Sequence, residues 1–375
     1  MQEVDVLIVG AGPVGCVIAE RVANELDLNV LIVEQRKHVA GNTYDRTHES
    51  GVMIHQYGPH YFRSDSESLI QYLSKWTEWH PGNYVVKVFT RGELFPFPIN
   101  LDTLEQFFGR KFTAEEAQEH LEQIREKIED PKNSEEFVLS RVGRELYEAF
   151  YYGYTCKQWG QTPAELNPSV CGRIPIRFNR DNRYVNQKFQ QMPARGYTAL
   201  FTNMIEHPKI EVMLNTSYRD IKDKIQPRFA TVYCGPLDDY FNYQLGSLPW
   251  RSLDFDFRSY DQEFKQPCVQ INYPNDHEYT RTVEIKHVTA QQAPNTVVSY
   301  EYSKATGDPY YPVPDIQNQK LLARYRELAE GEKKNNVYFV GRLAEYRYLN
   351  TDEAIERALS VYAEIRNQIK CQNSV

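Results

Sequence analysis

The sequence predicts an α/β protein, in which a Rossmann-like dinucleotide-binding domain carries an inserted helical domain and an antiparallel β-sheet domain. Three observations support this prediction. A glycine-rich turn joins a short apolar run to an apolar helical stretch near the N-terminus, charged amphipathic segments fill residues 101–152, and β-rich runs spaced by turn residues follow residue 210. Each segment has its own hydrophobic periodicity, and periodicity distinguishes helices from strands.

The first element is a βαβ unit built around a glycine fingerprint. The run VDVLIV at residues 4–9 predicts a buried strand, CVIAERVANEL predicts a helix, and VLIVE predicts a second strand that ends at Glu34. Between them, Gly10, Gly12 and Gly15 form a GxGxxG motif, which lets the backbone approach a pyrophosphate at the helix N-terminus. Glu34 is placed to accept hydrogen bonds from a ribose. The unit therefore predicts a dinucleotide site rather than a structural turn.

Two further features favour FAD over NAD as the dinucleotide. A second glycine-bearing turn, Gly41-Asn42, follows soon after Glu34, and this is typical of the FAD side of the superfamily. Near the end of the chain a buried strand meets Gly341 and Arg342, as expected for a chain that returns to complete a flavin site. Both features are similarities at the level of the fold.

The middle of the chain predicts a helical insertion. Residues 66–79 and 114–128 have helical patterns, and Asp130-Pro131 breaks the second. Ser134 is then expected to cap a helix that runs to residue 152, with Gly153 after its last turn. The segment VVKVFTRGELFPF predicts a hairpin that turns at Arg91-Gly92.

After residue 210 the runs ATVYCG, CVQINYP, YTRTVEIKHV and TVVSYEYS predict an antiparallel sheet that covers a ligand. Near the C-terminus, the sequence predicts a long helix from about residue 352 to residue 369. The predicted boundaries place the discontinuous FAD-binding domain at 1–65, about 190–215 and 330–375, the helical domain at about 66–82 and 101–160, and the sheet domain at about 83–100 and 216–315.

Composition limits the partners. The net charge of −8 argues against nucleic acid, which demands a broad basic face, although a single diphosphate needs only a few arginines. The six cysteines form no CxxC pair and no zinc pattern with the nine histidines, so no metal is expected and the free thiols suit a reducing cytoplasmic location. No apolar run is long enough for a membrane span.

Arginines beside tyrosines predict an anion site. Arg281 lies in a predicted strand, Arg342 follows Gly341, and Arg347 lies between two tyrosines in a chain that holds 27 of them. Each arginine alone is as easily a structural ion pair. Several of them beside tyrosine clusters suggest a buried diphosphate site, where a guanidinium fork binds phosphate oxygens.

The motifs KQWG, GYT and GRL–EYRY, in this order after the glycine fingerprint, identify a resemblance to the bacterial UDP-galactopyranose mutases. It extends along nearly the full chain, through IHQYGPHYF at 54–62, LYEAFYYGYTCKQWG at 146–160, GRIPIRFNRDNRYVNQKFQQMPARGYT at 172–198, YCGPLDDYF at 233–241, RSLDF at 251–255, YTRTVEIKH at 279–287, DPYYP at 308–312 and VGRLAEYRYL at 340–349.

The resemblance implies an isomerase. Such an enzyme interconverts UDP-galactopyranose and UDP-galactofuranose through a flavin N5–sugar adduct on reduced FAD, with the cofactor carrying the difficult chemistry. The nucleotide sugar is then the expected partner, a homodimer the expected assembly, and polysaccharide biosynthesis the expected role. A flavin oxidoreductase is a weaker alternative, because it would not need the diphosphate arginines.

The resemblance also implies roles for single residues. Arg173 matches an arginine on a mobile lid, predicted here at residues 168–179, that reaches the diphosphate, and Arg281 matches a second diphosphate arginine. His60 matches a histidine packed at the flavin, and Arg342 matches an arginine near flavin and diphosphate. The residues that match substrate-binding positions or line the cleft are Phe150, Tyr154, Trp159, Tyr184, Tyr311 and Tyr348.

Several positions depart from the family pattern near the expected sugar or diphosphate. Arg63 stands where the family usually has histidine, Tyr84 where it has asparagine, Val185 where it has an aromatic residue and Asn350 where it has aspartate. Another sugar nucleotide, carrying N-acetylgalactosamine or a deoxyhexose, is therefore an alternative substrate. Arg63 either redirects the choice of sugar with its five donors or merely pairs with a carboxylate or stacks on a tyrosine.

Overall fold

The structure is a computed structural model that describes residues 4–172, 174–313 and 318–372. Its strands are, in chain order, β1 (Val6–Val9), β2 (Val30–Val33), β3 (Asp45–Thr47), β4 (Met53–His55), β5 (Phe62–Ser64), β6 (Trp79–Pro81), β7 (Val86–Thr90), β8 (Glu93–Phe97), β9 (Phe189–Pro193), β10 (Ile210–Met213), β11 (Ala230–Tyr233), β12 (Trp250–Tyr260), β13 (Gln270–Asn272), β14 (Arg281–Val283), β15 (Thr296–Lys304), β16 (Tyr311–Pro312) and β17 (Val337–Phe339).

The α-helices are α1 (Pro13–Leu26), α2 (Glu67–Leu73), α3 (Leu101–Phe108), α4 (Ala114–Ile124), α5 (Ser134–Tyr147), α6 (Gly153–Trp159), α7 (Ser169–Gly172), α8 (Gly196–Ile205), α9 (Tyr218–Ile221), α10 (Leu237–Tyr240), α11 (Gln319–Glu332) and α12 (Thr351–Gln372). Across the described ranges, none of these helices combines the length and apolarity that a membrane span requires.

A parallel sheet forms the base of the molecule and confirms the predicted Rossmann-like fold. Its order is β10-β2-β1-β11-β17, and every neighbouring pair runs parallel. All residues of β1, β2 and β11 are buried, as expected for central strands covered on both faces. The carboxyl ends of these strands meet at one edge, which is where this class of sheet binds ligands.

Helices α1 and α12 pack together on this sheet. The buried residues of α12 recur at intervals of three and four positions, at Ile355, Ala358, Tyr362, Ile365 and Ile369, so one face of the helix lies against the core. The Tyr362 hydroxyl also donates to a carboxylate oxygen of Glu25 in α1, at 2.6 Å. The first and last helices of the chain therefore hold one another in place.

The strand ATVYCG was expected in the antiparallel sheet, and this prediction is wrong. β11 pairs in parallel register with β1 and β17, and Cys234 N donates to Val9 O at the end of the strand. The short apolar run fits a parallel strand buried on both faces equally well, and its partners are more than 100 residues away in sequence. The strand therefore belongs to the Rossmann-like sheet.

A mostly antiparallel sheet forms the second layer, in the order β16-β12-β15-β14-β13-β7-β8. The hairpin of β7 and β8 is confirmed, with Arg91 and Gly92 in the left-handed region at its turn. β13 joins the hairpin through the one parallel pairing among the described strands of this sheet. The register places Arg281 of β14 opposite Glu301 of β15.

The predicted helix at 66–79 is correct only in its first half. α2 ends at Leu73, and Trp79–Pro81 form a strand that pairs with β9. The Trp79 ring packs 4.8 Å from the ring of Phe62 and 5.1 Å from that of Phe189, centroid to centroid. Aromatic packing between strands outweighs the local helical pattern here.

The start of α5 is capped by Asn133 rather than by Ser134. The Asn133 side chain accepts from Glu136 N at 2.8 Å, and this is the geometry of an N-cap. The Ser134 hydroxyl instead donates to Asn167 O at 2.7 Å. Both residues are good caps by type, and the tertiary bond to Asn167 decides between them.

Gly153 does not terminate the helix as expected. A π-helical turn, Glu148–Tyr152, continues α5 into α6, and Gly153 keeps a helical φ of −64°. A Cβ at Gly153 would lie 2.3 Å from Pro274 O. The glycine therefore allows the helix to approach the loop before β14.

The division of the chain into three domains with the boundaries given above stays a prediction.

Candidate active site

The glycine fingerprint builds the start of α1 at the edge of the parallel sheet. Gly12 is the N-cap, Pro13 occupies the first helical position, and no described side chain caps the helix. The first N–H groups therefore remain for a ligand, and an anion is favoured there. A Cβ at Gly15 would lie only 2.0 Å from Gly10 O, so no larger residue fits.

The second glycine turn lies directly against the first. Gly41 begins a short 3-10 helix, Gly41–Thr43, and has a φ of +53°. A Cβ at Gly41 would lie 2.8 Å from the Gly12 Cα. Asn42 accepts a hydrogen bond from Arg36 Nη1 at 2.9 Å. The two turns predicted to bind the dinucleotide thus form one continuous surface.

Glu34 is fixed at the end of β2. Its carboxylate accepts from Ala11 N and from Arg36 N, each at 2.9 Å, and the residue is 7% exposed. A carboxylate offers about four acceptor positions, so it can still accept from a ribose hydroxyl. The residue predicted to bind ribose is held in place by the glycine turn itself.

A cavity of about 370 Å³ extends from this surface toward the C-terminal segment. His60 and Asn350 line this cavity. So do all seven residues predicted to bind the cofactor, which are Gly10, Gly12, Gly15, Glu34, Gly41, Asn42 and Arg342. Open helix N–H groups, a fixed carboxylate and glycines that admit a close approach suit a dinucleotide with its pyrophosphate at α1.

His60 lies in this cavity as a neutral imidazole. Its Nδ1 lies 3.0 Å from Gly58 O and donates to it, and its backbone N–H donates to His55 Nδ1 at 3.1 Å. Burial, followed by the charge of Arg342, lowers the pKa of His60 to about 3. Nε2 is thus an acceptor, not a proton donor, at neutral pH.

We expect His60 to stay uncharged between about pH 5 and pH 8, because a histidine is neutral at every pH well above its pKa and the pKa of His60 is lowered to about 3. The measurement is the NMR titration of histidine-labelled protein, with His60→Gln used to assign the resonance. A His60 resonance that titrates near pH 6.5 would contradict this prediction.

A second group of residues surrounds Arg281. Arg281 Nε donates to Glu301 Oε2 at 2.7 Å, and Nη2 donates to the Tyr311 hydroxyl at 3.4 Å. The Arg281 side chain is 14% exposed, and that of Glu301 is fully buried. Burial raises the pKa of Tyr154 to about 12, and the nearby charge of Arg281 opposes this rise.

Stacked rings connect this cluster to the cavity. The Tyr311 and Tyr348 rings are parallel, with centroids 6.0 Å apart, and the Trp159 ring lies 6.2 Å from Tyr311. The Arg342 guanidinium carbon lies 5.6 Å from the Tyr311 centroid and 5.1 Å from that of Tyr348. Arg342 is itself fixed, since Nη2 donates to Leu349 O at 2.6 Å. Arg342, which lines the cavity, thus connects it to the two tyrosines and, through Tyr311, to Arg281.

Other residues predicted to bind substrate have further contacts of their own. Tyr84 is buried and donates to Gln270 Oε1 at 2.7 Å, and its ring lies 6.2 Å from that of Tyr184. Phe150 is 3% exposed and packs on Phe95, with the ring centroids 5.6 Å apart. Phe150 therefore belongs to the apolar core of the helical segment, and contact with a base stays a prediction.

Two of the four departing positions, Arg63 and Asn350, lie near the start of α12. Arg63 lies on β5, and its Nε is buried with no hydrogen-bond partner among the described residues. Burial raises the pKa of Asp352, and the nearby charge of Arg63 opposes this rise. Asn350 donates from its backbone N and Nδ2 to Glu353, at 2.7 and 2.8 Å. The charge of Arg63 therefore acts on Asp352, and both interpretations of Arg63 stay predictions.

Arg173 lies outside the described residues, so its place is not addressed by the structure. The segment that follows is anchored: Arg177 N donates to Ile99 O at 2.9 Å, and its guanidinium donates to Asn186 Oδ1 at 2.6 Å. Mobility of residues 168–179 stays a prediction.

Sequence reasoning missed Glu301. The residue lies within TVVSYEYS, and the signal that could have identified it is alternation. Ser299 and Glu301 are buried, whereas Tyr300 and Tyr302 are partly exposed, so Glu301 lies on the inward face of the strand. A buried carboxylate is costly unless a cation pairs with it, and a buried cationic partner is therefore expected. The register supplies that partner in Arg281.

Comparisons with known proteins identify the family and the fold of the chain. The family model described as UDP-galactopyranose mutase matches residues 149–348, more than half of the chain, and a model of NAD(P)-binding Rossmann-like domains matches residues 8–76. The crystal structure of a reduced UDP-galactopyranose mutase superposes with a TM-score of 0.79 over 98% of this chain and 94% of that chain, at 16% identity. This last likeness shows the fold.

Two curated relatives cover almost the whole sequence. A probable UDP-galactopyranose mutase of Klebsiella pneumoniae is 39% identical over 100% of this chain and 98% of its own length. A dTDP-fucopyranose mutase of Escherichia coli is 36% identical over 94% of this chain and 96% of its own length. From the family match and these full-length identities, the chain belongs to the UDP-galactopyranose mutase family.

Proposed function

We propose that this protein interconverts the pyranose and furanose forms of a nucleotide sugar on reduced FAD, with UDP-galactose as the first candidate substrate. The observation that carries the proposal is the junction of two sites. Arg342 lines a cavity suited to a dinucleotide and lies over the rings of Tyr311 and Tyr348, and the Tyr311 hydroxyl accepts a hydrogen bond from Arg281. A reaction that separates a sugar from its diphosphate beside a flavin needs this arrangement.

The cavity fits FAD by the chemistry of its donors. The adenosine ribose is assigned to Glu34, the pyrophosphate to the N-terminus of α1, and the flavin ring to the end formed by His60 and Arg342. A reduced flavin bound there supplies a nucleophilic nitrogen that can attack the anomeric carbon of the sugar.

The residues around Arg281 hold the diphosphate while it is detached. Arg281 and Arg342 offer charge-assisted hydrogen bonds to phosphate oxygens, and Tyr311 and Tyr348 add hydroxyl donors. Because these groups are partly buried, their interaction with a developing anion is stronger than in water. They keep the leaving group beside the sugar until the bond reforms. His60, as a neutral acceptor, adds no competing charge.

A second candidate substrate is a deoxyhexose nucleotide such as dTDP-fucose. Two observations favour it: the identity to the Escherichia coli dTDP-fucopyranose mutase, and the departures Arg63 and Asn350 near the start of α12, of which Asn350 lines the cavity. Both candidates share the diphosphate chemistry and differ in the base and in the sugar hydroxyls.

The test is a panel of UDP-galactose, UDP-N-acetylgalactosamine and dTDP-fucose, with products identified by NMR. We expect bound FAD, and turnover of one or more sugars only after dithionite reduction, without reoxidation of the flavin. Turnover by the oxidised protein, or stoichiometric flavin reoxidation, would instead indicate an oxidoreductase.

The same panel tests Arg63. If this residue selects the sugar, Arg63→His changes the ratio of kcat/KM values between two of the substrates by more than about threefold, which is roughly 0.65 kcal/mol of discrimination. If all ratios stay within this range, Arg63 does not determine the choice of sugar. A homodimer and a role in polysaccharide biosynthesis, both implied by the family resemblance, and a cytoplasmic location, which suits the free cysteines, complete the proposal.

A further inference from the structure

Glu301 is a fully buried carboxylate with an asymmetric environment. Oε2 accepts from Arg281 Nε at 2.7 Å, whereas Oε1 has no hydrogen-bond partner in the described part of the chain. A Cβ at Gly58 would lie 3.6 Å from Oε1 and 3.5 Å from both Arg281 Nη2 and the Phe255 ring. The turn at Gly58 and this aromatic ring therefore lie against the pair, in which Glu301 is fully buried and the Arg281 side chain is 14% exposed.

The pair orients the guanidinium. The register of β14 and β15 places Arg281 directly opposite Glu301, and the carboxylate binds the Nε edge of the fork. Nη2 is turned toward Tyr311 and so toward the cluster proposed to bind the diphosphate. A guanidinium held at one edge presents its other donors in one direction.

The pair also has an electrostatic consequence. A diphosphate at Arg281 carries negative charge, and Glu301 places a second negative charge beside Nε of the same guanidinium. In a site with little water, such charges interact strongly even when a cation lies between them. The charge of Glu301 thus weakens the binding of a diphosphate to Arg281, although its hydrogen bond orients Arg281 for that binding.

We infer that Glu301 is a positioning residue that sets how tightly Arg281 holds a diphosphate: its charge lowers the affinity, while its hydrogen bond keeps the guanidinium facing the ligand. The inference rests on the proposed function. It explains how a detached diphosphate is held and yet remains available to reattach, since an unopposed arginine would bind the free anion more tightly than the reaction needs.

The test compares two substitutions that separate charge from geometry. Glu301→Gln keeps an acceptor for Nε and removes the charge, so UDP and dTDP are expected to bind at least about tenfold more tightly. Glu301→Asp keeps the charge and shortens the side chain, so binding is expected to weaken at least about threefold. A purely structural residue would shift both variants in the same direction.

Calorimetric titrations at pH 8 with the oxidised, FAD-loaded protein give the dissociation constants, because the charge of the free nucleotides is constant there. Asp254→Asn is the matched control: Asp254 lies on β12, the strand beside β15, pairs with Lys304 at 2.5 Å and is 63% exposed. Its loss should leave nucleotide binding unchanged. Thermal unfolding and FAD content show whether each variant is folded.

The outcomes separate the two proposals. If wild-type protein binds UDP or dTDP and Glu301→Gln does not tighten that binding, the inference about Glu301 is wrong and the proposed function stands. If Glu301→Gln does not fold, Glu301→Asp decides, since unchanged or tighter binding by that variant overturns the inference. If neither nucleotide binds to the wild type, the proposed diphosphate site is wrong and the inference falls with it.

Discussion

Replacement of Arg281 by alanine is expected to lower kcat/KM by at least about 30-fold, equivalent to about 2 kcal/mol of transition-state stabilisation. The departing diphosphate loses a charge-assisted partner in a partly closed site. The same substitution is expected to lower the free energy of unfolding by about 3 kcal/mol, because Glu301 is then a buried charge without its cation.

A second substitution separates these effects. In Arg281→Ala/Glu301→Gln the stranded charge is gone, so most of the lost stability is expected to return while kcat/KM stays low. Urea unfolding and steady-state kinetics of the reduced enzyme measure the two quantities. If the two substitutions add in stability to within about 0.5 kcal/mol, the residues are not coupled as the 2.7 Å contact requires.

Replacement of Gly15 by alanine is expected to abolish FAD retention. The new Cβ would lie 2.0 Å from Gly10 O, and a backbone atom cannot rotate away as a side chain can. The turn must open, which displaces the N–H groups at the start of α1, and we expect a loss of at least about 2 kcal/mol in stability. Absorbance of the purified protein at flavin wavelengths and thermal unfolding give the two results.

Gly331→Ala is the control for Gly15→Ala. Gly331 lies within α11, and no described atom lies within 4 Å of the position that a Cβ would take there. Alanine costs less backbone entropy than glycine in a helix, so this variant is expected to gain about 0.5–1 kcal/mol and to keep FAD. FAD retention by Gly15→Ala at the level of this control would show that the fingerprint does not form the cofactor site.

The cofactor cavity could be predicted from the sequence because its signals are local. Gly10, Gly12 and Gly15 mark a turn within six residues, and Glu34 follows at the end of the next strand. The requirement that each places on the backbone is visible in its immediate neighbours. All of these residues line the cavity that the structure shows.

Features that depend on distant partners could not be predicted in the same way. The role of Glu301 depends on its ion pair with Arg281, and only the register of β14 and β15 brings the two residues opposite each other. Gly153 was interpreted as a helix end, since glycine is common there, but its lack of a side chain serves contact with Pro274. Local patterns cannot distinguish a glycine needed for backbone freedom from one needed for space.

The cofactor cavity has walls from both ends of the chain, since residues 9–15 face residues 341–354 across it and α1 packs on α12. During synthesis on the ribosome, the opposite wall follows the glycine turn more than 300 residues later. At roughly 5–20 residues per second, this leaves the nascent turn incomplete for tens of seconds. A chain truncated before residue 341 would lack this wall, and we expect it not to retain FAD.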